Sequence, residues 1–256
     1  MHPPVDDDLD HALDRAAGFL KTAERVAVLT GAGVSAESGV ATFRGAGGLW
    51  EGHRVEDVAT PGAFRRDPNL VWRFYNARRA RLQTVLPNPG HHALARLENH
   101  LGPDNFALVT QNIDGLHRAA GSRHVLEVHG SLSRVKCTAC EKLEDRPGEA
   151  LPDLPVCGKC GGLLRPDVVW FGEELANGVW DRAQDAAADC DVLLVVGTSA
   201  QVYPAAGLLA VAQVGGARVV EINPEATAAS EFADAALRGP SGEILPALVR
   251  QLSAAS

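Results

Sequence analysis

Several features are absent from this 256-residue sequence, and each absence excludes a class of protein. No apolar run approaches the ~18 residues that a membrane-spanning helix needs. The formal net charge of -8 argues against a nucleic-acid partner, because such binding depends on clustered lysine and arginine. There is no internal repeat. The opening MHPPVDDDLD is acidic and lacks the basic-then-apolar pattern of a secretory signal. We therefore expect a cytoplasmic protein with no membrane partner.

Cysteine is sparse, with five residues in the chain. Four of them form two CxxC pairs, Cys137 with Cys140 and Cys157 with Cys160, and sixteen residues separate the pairs. This spacing predicts a zinc ribbon with four cysteine ligands in a reducing compartment and argues against disulfides. Four thiolates close the coordination shell, so the single zinc ion would be structural. We interpret the fifth cysteine, Cys190, as a packing residue.

The length is sufficient for one large α/β core, or for a large and a small lobe. Apolar runs predict buried strands at 26–29, 106–110, 125–128, 191–196 and 217–222. The later runs are continuously apolar, as in a parallel sheet covered on both faces. Helical spacing predicts helices near the start of the chain, after Pro68, between Asn88 and Gly102, over 203–214 and over 243–252.

The first of these strands runs into a glycine-rich turn. Gly31, Gly33 and Ala36 match the G-x-G-x-x-G/A pattern of a phosphate-binding turn. Gly31 would allow the tight turn, Gly33 a close approach to a pyrophosphate, and Ala36 close packing of the next helix. The alternative is a glycine-rich turn with no ligand. An ordinary dehydrogenase is disfavoured, because the chain next enters an ATFRGAGGLW loop instead of a second strand.

Polar side chains follow the predicted strand 106–110. In open α/β sheets ligands bind at the carboxyl ends of strands, where Gln111, Asn112 and Asp114 would lie. The alternative interpretation is turn chemistry, since Asn and Asp commonly cap a following helix.

His129 follows the strand predicted at 125–128. Imidazole titrates near neutrality, so His129 is a candidate general base. A structural histidine is the alternative, and it is our interpretation of His91 and His117.

Tyr75 and Arg78 are three residues apart in the helix predicted after Pro68, so they share one face. The spacing alone also fits a solvated arginine-rich face, because the same helix contains three further arginines.

Taken together, the motifs resemble the signature of the sirtuins, which are NAD-dependent protein-lysine deacylases. The resemblance spans roughly residues 20–250. It rests on GAGVSAESG followed by TFRGAGGLW, TQNIDGLH, VHGSL, the cysteine pairs, VVWFGE, GTSAQVYPA and EINPE, in that order. Ala41 stands where the family usually has proline. The GAGG loop, with Tyr75 and Arg78, is similar to the class III branch, which favours acidic acyl groups.

The resemblance implies a fold of two lobes. A Rossmann-like parallel-sheet lobe would comprise 1–50, 88–133 and 165–256. A small lobe would combine a helical insertion, 51–87, with the zinc ribbon, 134–164.

The resemblance also implies the site residues, with NAD as co-substrate. The expected catalytic residues are His129, Asn112 and Asp114. The expected NAD contacts, besides Asn112 and Asp114, are Gly31, Ala32, Gly33, Ala36, Glu37, Thr42, Phe43, Arg44, Trp50, Gln111, Ile113, Gly197, Thr198, Ser199, Asn223, Glu225 and Ser241. The expected acyl-peptide contacts are Tyr75, Arg78, Val168, Val169, Trp170, Phe171, Gly172, Glu173, Val202 and Tyr203. The expected zinc ligands are the four paired cysteines.

The reaction implied by the resemblance transfers an acyl group from lysine to ADP-ribose. The acyl oxygen attacks the nicotinamide ribose as nicotinamide leaves. His129 takes a proton from a ribose hydroxyl, which attacks the resulting imidate, and water completes the reaction to give free lysine and O-acyl-ADP-ribose. Acyl-lysine proteins would be the partners, and a monomer is the default state. Two alternatives stay open at this point: an NAD-dependent mono-ADP-ribosyltransferase and a non-enzymatic NAD-sensing or zinc-ribbon module.

Overall fold

The computed structural model describes residues 8–41, 49–50, 52–148 and 151–253. In these residues the α-helices are α1 (Leu9–Thr22), α2 (Ala32–Ala36), α3 (Val55–Val58), α4 (Pro61–Arg66), α5 (Pro68–Leu82), α6 (Pro89–Leu101), α7 (Leu116–Ala119), α8 (Asn177–Ala188), α9 (Leu208–Val214) and α10 (Ser241–Ser253). The strands are β1 (Val26–Thr30), β2 (Leu49–Trp50), β3 (His53–Arg54), β4 (Phe106–Thr110), β5 (Val125–Glu127), β6 (Gly130–Cys137), β7 (Leu143–Asp145), β8 (Leu164–Val168), β9 (Val192–Val196), β10 (Arg218–Ile222) and β11 (Ala235–Leu237). None of the described helices is both long and apolar enough to cross a membrane.

A six-stranded parallel sheet forms the centre of the molecule, in the order β11-β10-β9-β1-β4-β5. Numbered by their sequence within this sheet, the strands run 3-2-1-4-5-6 from the β5 edge, which is the Rossmann order. Every residue of β1 and β9 is buried, because α1, α6 and α10 cover one face while α8 and α9 cover the other. The predicted α/β fold class is confirmed.

The order of the strands determines where a ligand is expected. Connections from β1 lead to β4 on one side, whereas β9 adjoins β1 on the other. The sheet therefore changes its winding direction between β1 and β9, and the carboxyl ends of these two strands are where a ligand crevice is expected.

A second packing unit lies beside the sheet. Helices α3, α4 and α5 pack on the antiparallel sheet β7-β6-β8, around the buried side chains of Trp72, Tyr75, Val135, Leu164 and Trp170. The predicted two-lobe division stays a proposal. The apolar contacts group β8 and Trp170 with this second unit, although the prediction assigned residues from 165 onward to the large lobe.

Local signals predicted some boundaries closely. Asn88 caps α6, its side chain accepting from the N–H groups of Gly90 and His91, and the helix stops at Gly102, whose φ is +86°. The helix predicted over 203–214 is instead a 3-10 turn, Ala205–Gly207, followed by α9. The sequence analysis did not predict α8 or the short edge strand β11.

Candidate active site

Two loops meet at the switch point of the sheet and leave no room for side chains. Gly31 N donates to Val196 O at 3.1 Å, and Gly33 N donates to Gly197 O at 2.8 Å. A Cβ atom on Gly33 would lie 2.7 Å from Gly197 O, and one on Gly197, whose φ is +58°, would lie 2.4 Å from Val34 N. The glycines are thus required by backbone-to-backbone contact.

This contact changes the roles expected within the turn. The N–H of Gly33 is used by Gly197 O, so the close approach that Gly33 permits is to protein backbone. Ala36 is the last residue of the five-residue α2 and is exposed, which differs from its expected role in helix packing. Ala32 is the first residue of α2 and is half-buried.

Asn112 and Asp114 lie beside this turn, and Ser35 links them. Asn112 Nδ2 donates to Gly31 O at 3.0 Å and to Ser35 Oγ at 3.2 Å, while Ser35 Oγ donates to Asp114 Oδ2 at 2.8 Å. Burial raises the pKa of Asp114, and hydrogen bonds from Leu116 N and Ser35 Oγ, together with the charge of Arg78, oppose that rise. The sequence analysis missed Ser35; its signal is a small hydroxyl residue four positions after Gly31, inside the glycine motif.

His129 lies in the turn between β5 and β6. Its Nδ1 is 3.1 Å from Gln111 O, and a carbonyl oxygen only accepts, so Nδ1 carries the proton and Nε2 of the neutral ring has a free lone pair. Burial lowers the pKa of His129 below 6.5, against the raising effect of the Gln111 bond. The ring is therefore neutral at pH 7 and in the tautomer that a general base requires.

The next residue fixes this turn in place. Gly130 has a φ of +80°, and a Cβ there would lie 2.1 Å from Asp167 O. The His129 carbonyl in turn accepts from Val169 N at 2.9 Å. His129 is thus held by its side chain to the end of β4 and by its backbone to the segment after β8.

On the other side of the crevice, Gln111 Nε2 donates to Thr198 Oγ1 at 3.0 Å. This bond between two predicted NAD contacts joins the end of β4 to the end of β9. Two further predicted contacts, Ile113 and Ser199, follow in the same two loops and are half-buried.

The predicted adenosine contacts lie in a loop after β10. Asn223 Nδ2 donates to Glu225 O at 3.0 Å, and the Glu225 side chain is exposed. The buried carboxylate of Glu221 anchors the same loop, accepting from Thr227 Oγ1 at 2.5 Å and from Ser230 Oγ at 2.6 Å. The sequence analysis missed Glu221, although a carboxylate inside an apolar strand run is a readable signal.

Other predicted NAD contacts are placed differently. Glu37 accepts from Ser241 Oγ at 2.8 Å and from Gly242 N at 2.9 Å, so it caps the start of α10. Trp50 belongs to β2. Thr42, Phe43 and Arg44 lie outside the described residues.

Tyr75 and Arg78 are buried on α5, with 1% and 8% exposure, so the alternative of a solvated arginine face is wrong. Trp170 Nε1 donates to Tyr75 Oη at 2.9 Å. Burial raises the pKa of Tyr75, with the Trp170 bond and then the Arg78 charge opposing it. Burial raises the pKa of Asp114 as well, and Arg78 is among the groups that oppose that rise. The two residues thus lie in the protein interior on the Asp114 side of the crevice.

Three backbone N–H groups of the VVWFGE segment already donate hydrogen bonds within the protein. Val169 N donates to His129 O, Trp170 N to Glu173 Oε2, and Phe171 N to Ala59 O. A substrate strand added here would have to use other backbone groups. Of the predicted peptide contacts, Val168 is the last residue of β8 and Trp170 is buried. Phe171, Val202 and Tyr203 are exposed. Gly172, which follows Phe171, has a φ of +87°.

The four paired cysteines converge as predicted. Their Sγ atoms all lie within 4.8 Å of one another, with Cys137 and Cys160 at 3.5 Å and Cys140 and Cys157 at 3.8 Å. A tetrahedral zinc with Zn–S bonds of about 2.3 Å separates its sulfurs by about 3.8 Å.

The surroundings of the sulfurs also suit a metal. The N–H groups of Ala139 and Cys140 point to Cys137 Sγ, each at 3.4 Å, and Lys159 N points to Cys157 Sγ at 3.4 Å. The four cysteines are positioned to bind one zinc ion.

Two buried histidines lie under the crevice. The rings of His91 and His117 are 4.8 Å apart between centroids. Asn88 N donates to His91 Nδ1 at 3.3 Å, so the neutral ring carries its proton on Nε2, which faces Ser35 Oγ at 3.4 Å. Burial, and then the charge of His92, lowers the pKa of His91 to about 4. Burial, and then the charge of His91, lowers the pKa of His117 to about 3. Both rings are neutral structural elements.

Residues 31–204 match the Sir2 family. The NAD-dependent protein deacylase 2 of Pyrobaculum aerophilum is 52% identical over 238 residues, covering 92% of this chain and 94% of that protein. The NAD-dependent protein deacylase of Pyrococcus furiosus is 50% identical over 246 residues, covering 94% and 98%. The chain belongs to the Sir2 family.

Solved structures agree. A Sir2 homologue in complex with NAD has a TM-score of 0.90 and 43% identity, covering 100% of this chain and 97% of that one. A Sir2 protein bound to a myristoylated histone peptide has a TM-score of 0.76 and 34% identity, covering 96% and 98%.

Removing one zinc ligand should unfold the ribbon. We expect Cys137→Ser to lower bound zinc and thermal stability, because folding of such a ribbon is largely metal-binding free energy. Activity should fall with the folded fraction. Cys190→Ala is the matched control, since Cys190 belongs to neither CxxC pair, is buried in the apolar cluster of the central sheet, and donates to Ala187 O. A stable, active Cys137→Ser protein without zinc would refute the structural role.

Acid should destabilise the fold through the two buried histidines. Below pH 6.5 the unfolded chain protonates both rings while the native rings stay neutral, so stability is lost as pH falls from 6.5 toward 4. The slope is about 1.4 kcal/mol per pH unit for each histidine. We expect the free energy of unfolding of His117→Asn, measured in urea at several pH values between 7 and 5, to depend less steeply on pH than that of the wild type, by about that amount. The exposed His100→Asn should keep the wild-type slope, and identical slopes in all three proteins would contradict the assignment.

Proposed function

We propose that this protein is an NAD-dependent protein-lysine deacylase. The observations that carry the proposal are two: Ser35 joins Asn112 to Asp114 beside the turn after β1, and the neutral His129 is bonded through Nδ1 to Gln111 O at the end of β4. The protein deacylase relatives and the acyl-peptide complex among the solved structures support the same chemistry.

The residues present fit NAD. The crevice at the carboxyl ends of β1 and β9 is where Rossmann sheets bind dinucleotides. Gln111 and Thr198 lie at one part of it, and Asn223 and Glu225 lie beyond β10, where an adenosine would extend. When bound, NAD supplies the ribose carbon that accepts the acyl oxygen as nicotinamide leaves.

Asn112 and Asp114 would orient the nicotinamide ribose and carboxamide. Ser35 accepts a hydrogen bond from Asn112 and donates one to Asp114, so both side chains are held before any ligand binds. Such preorganisation avoids reorganisation during the reaction.

His129 would remove a proton from a ribose hydroxyl. Its Nδ1–H is fixed on Gln111 O, which orients Nε2 and stabilises the imidazolium that forms when Nε2 takes the proton. The same residue can then return that proton, and water completes the release of lysine.

The acyl-lysine peptide would bind across the segment after β8. Phe171 is 49% exposed, Val202 39% and Tyr203 77%, so these side chains offer apolar contact area to an extended peptide. Because the N–H groups of residues 169–171 are occupied, recognition of the peptide backbone would fall to other groups of this surface, such as its carbonyls.

For the acyl group we propose that succinyl, malonyl and glutaryl chains are accepted, as well as acetyl. A carboxylate that enters a buried pocket needs a cation and donors to offset the loss of hydration. Arg78 supplies a planar guanidinium, and Tyr75, one helical turn earlier, supplies a hydroxyl. Because the chain is acidic overall, this preference would be local and not a long-range attraction.

The function is tested by the loss of its base. We expect the wild type to release nicotinamide with an acyl-lysine peptide and NAD, and His129→Ala to turn over about 10²–10⁴-fold more slowly while still binding NAD. His92→Ala, at an exposed position of α6, is the matched control. Turnover of His129→Ala within about twofold of wild type would show that another group is the base. Mass spectrometry that finds ADP-ribose attached to the protein, in place of deacylated lysine, would favour a transferase.

Acyl preference is tested with Arg78→Met. We expect kcat/KM for a succinyl-lysine peptide to fall at least about tenfold more than for the matched acetyl-lysine peptide, because a charge-assisted hydrogen bond contributes roughly 1.5–3 kcal/mol. Tyr75→Phe should act in the same direction, more weakly. Arg73→Met, exposed on the same helix, is the control. An equal loss of both activities in Arg78→Met would refute the acidic-acyl preference and leave the deacylase proposal standing.

A further inference from the structure

Trp170, whose place in VVWFGE predicted a substrate contact, lies beside Tyr75 in the second apolar unit. Its side chain is 3% exposed and packs in the second apolar unit, against Phe64 and Tyr75. Its indole Nε1 donates to Tyr75 Oη at 2.9 Å. Trp170 thus contacts Tyr75, one of the two residues of the proposed acyl pocket.

The ion pair between Arg165 and Glu173 contacts both the ring and the backbone N–H of Trp170. Arg165 Nη1 and Nη2 lie 2.6 and 2.9 Å from the two carboxylate oxygens of Glu173. The Arg165 guanidinium also lies 3.5 Å from the centroid of the Trp170 ring, and Glu173 Oε2 accepts from Trp170 N at 2.9 Å. Bidentate pairing and stacking are both sensitive to geometry, so the indole is fixed in position and in rotation.

The chemistry of the indole determines how the Tyr75 hydroxyl is used. Indole Nε1–H is only a donor, so the phenol oxygen accepts this bond and the phenol proton is directed to a different acceptor. Burial keeps that phenol un-ionised. A carboxylate is an acceptor, and a hydroxyl already fixed by a neighbour loses less entropy in binding it.

We propose that Trp170, fixed by the Arg165–Glu173 pair, is a positioning residue for acyl selection. It sets the orientation of the Tyr75 hydroxyl, and through that bond it raises the preference for carboxylate-bearing acyl groups over acetyl. This inference rests on the proposed deacylase function and on the acyl pocket at Tyr75 and Arg78, and it adds a specificity determinant that does not touch the substrate.

A double-mutant cycle tests the inference. The readout is kcat/KM for a succinyl-lysine peptide divided by kcat/KM for the matched acetyl-lysine peptide. Trp170→Phe keeps an aromatic ring but removes the N–H, and we expect it to lower this ratio about 3–10-fold, the effect of one neutral hydrogen bond. In a Tyr75→Phe background the same change should shift the ratio less than about twofold.

A matched control separates this role from stability. Trp72 lies in the same apolar unit, is fully buried, and donates its Nε1–H to the backbone carbonyl of Leu164 at 2.9 Å. Trp72→Phe should lose comparable thermal stability and keep the wild-type ratio. Glu173→Gln, which removes the charge of the ion pair without removing bulk, should lower the ratio in the same direction as Trp170→Phe.

The outcomes separate the proposed role of Trp170 from the proposed deacylase function on which it rests. A ratio lowered by Tyr75→Phe but unchanged in Trp170→Phe and Glu173→Gln overturns the inference alone. An equal shift from Trp170→Phe with and without the Tyr75 hydroxyl does the same, because the effect would then not pass through Tyr75. If Tyr75→Phe leaves the ratio unchanged, the acyl pocket is wrong as well, and a wild type with no deacylase activity overturns the proposed function.

Discussion

The site depends on the close contact between two backbone turns, one after β1 and one after β9. Gly33 and Gly197 approach each other so closely that neither can carry a Cβ atom, and this proximity keeps the carboxyl ends of β1, β9 and β4 together. Asn112 bonds to the carbonyl of Gly31, and Gln111 bonds to Thr198 across the same gap. The polar groups that would contact NAD are therefore ordered by backbone geometry before a ligand is bound.

The second apolar unit is related to the site in a different way. It contributes no strand to the central sheet, yet it positions Tyr75, Arg78 and the segment after β8. The segment after β8 also reaches the central sheet, because Val169 N donates to the carbonyl of His129 and Val169 packs against the apolar cluster of that sheet. In the proposed mechanism, selection of the acyl group and removal of the proton would therefore depend on residues that different parts of the fold support.

The sequence predicted the sheet strands well because their apolar runs are continuous, and it suggested a candidate site because several motifs end at one sheet edge. It did not predict β11, a three-residue edge strand defined only by its pairing with β10. Nor did it show that Trp170 is buried, that the N–H of Gly33 bonds to Gly197 O, or that Glu37 caps α10. These features depend on contacts between residues far apart in sequence, and local patterns do not specify which partner a polar group finds.

The strand β6 connects the two kinds of site in the molecule. It begins at Gly130, directly after His129, and ends at Cys137, so roughly 25 Å of extended backbone separates the candidate base from a zinc ligand. A ribbon that loses its metal would release one end of this strand, and the turn that fixes His129 is at the other end. A partly metallated preparation would then be a mixture of fully competent and inactive molecules, so that zinc supply would set how many enzyme molecules work and not how fast each one works.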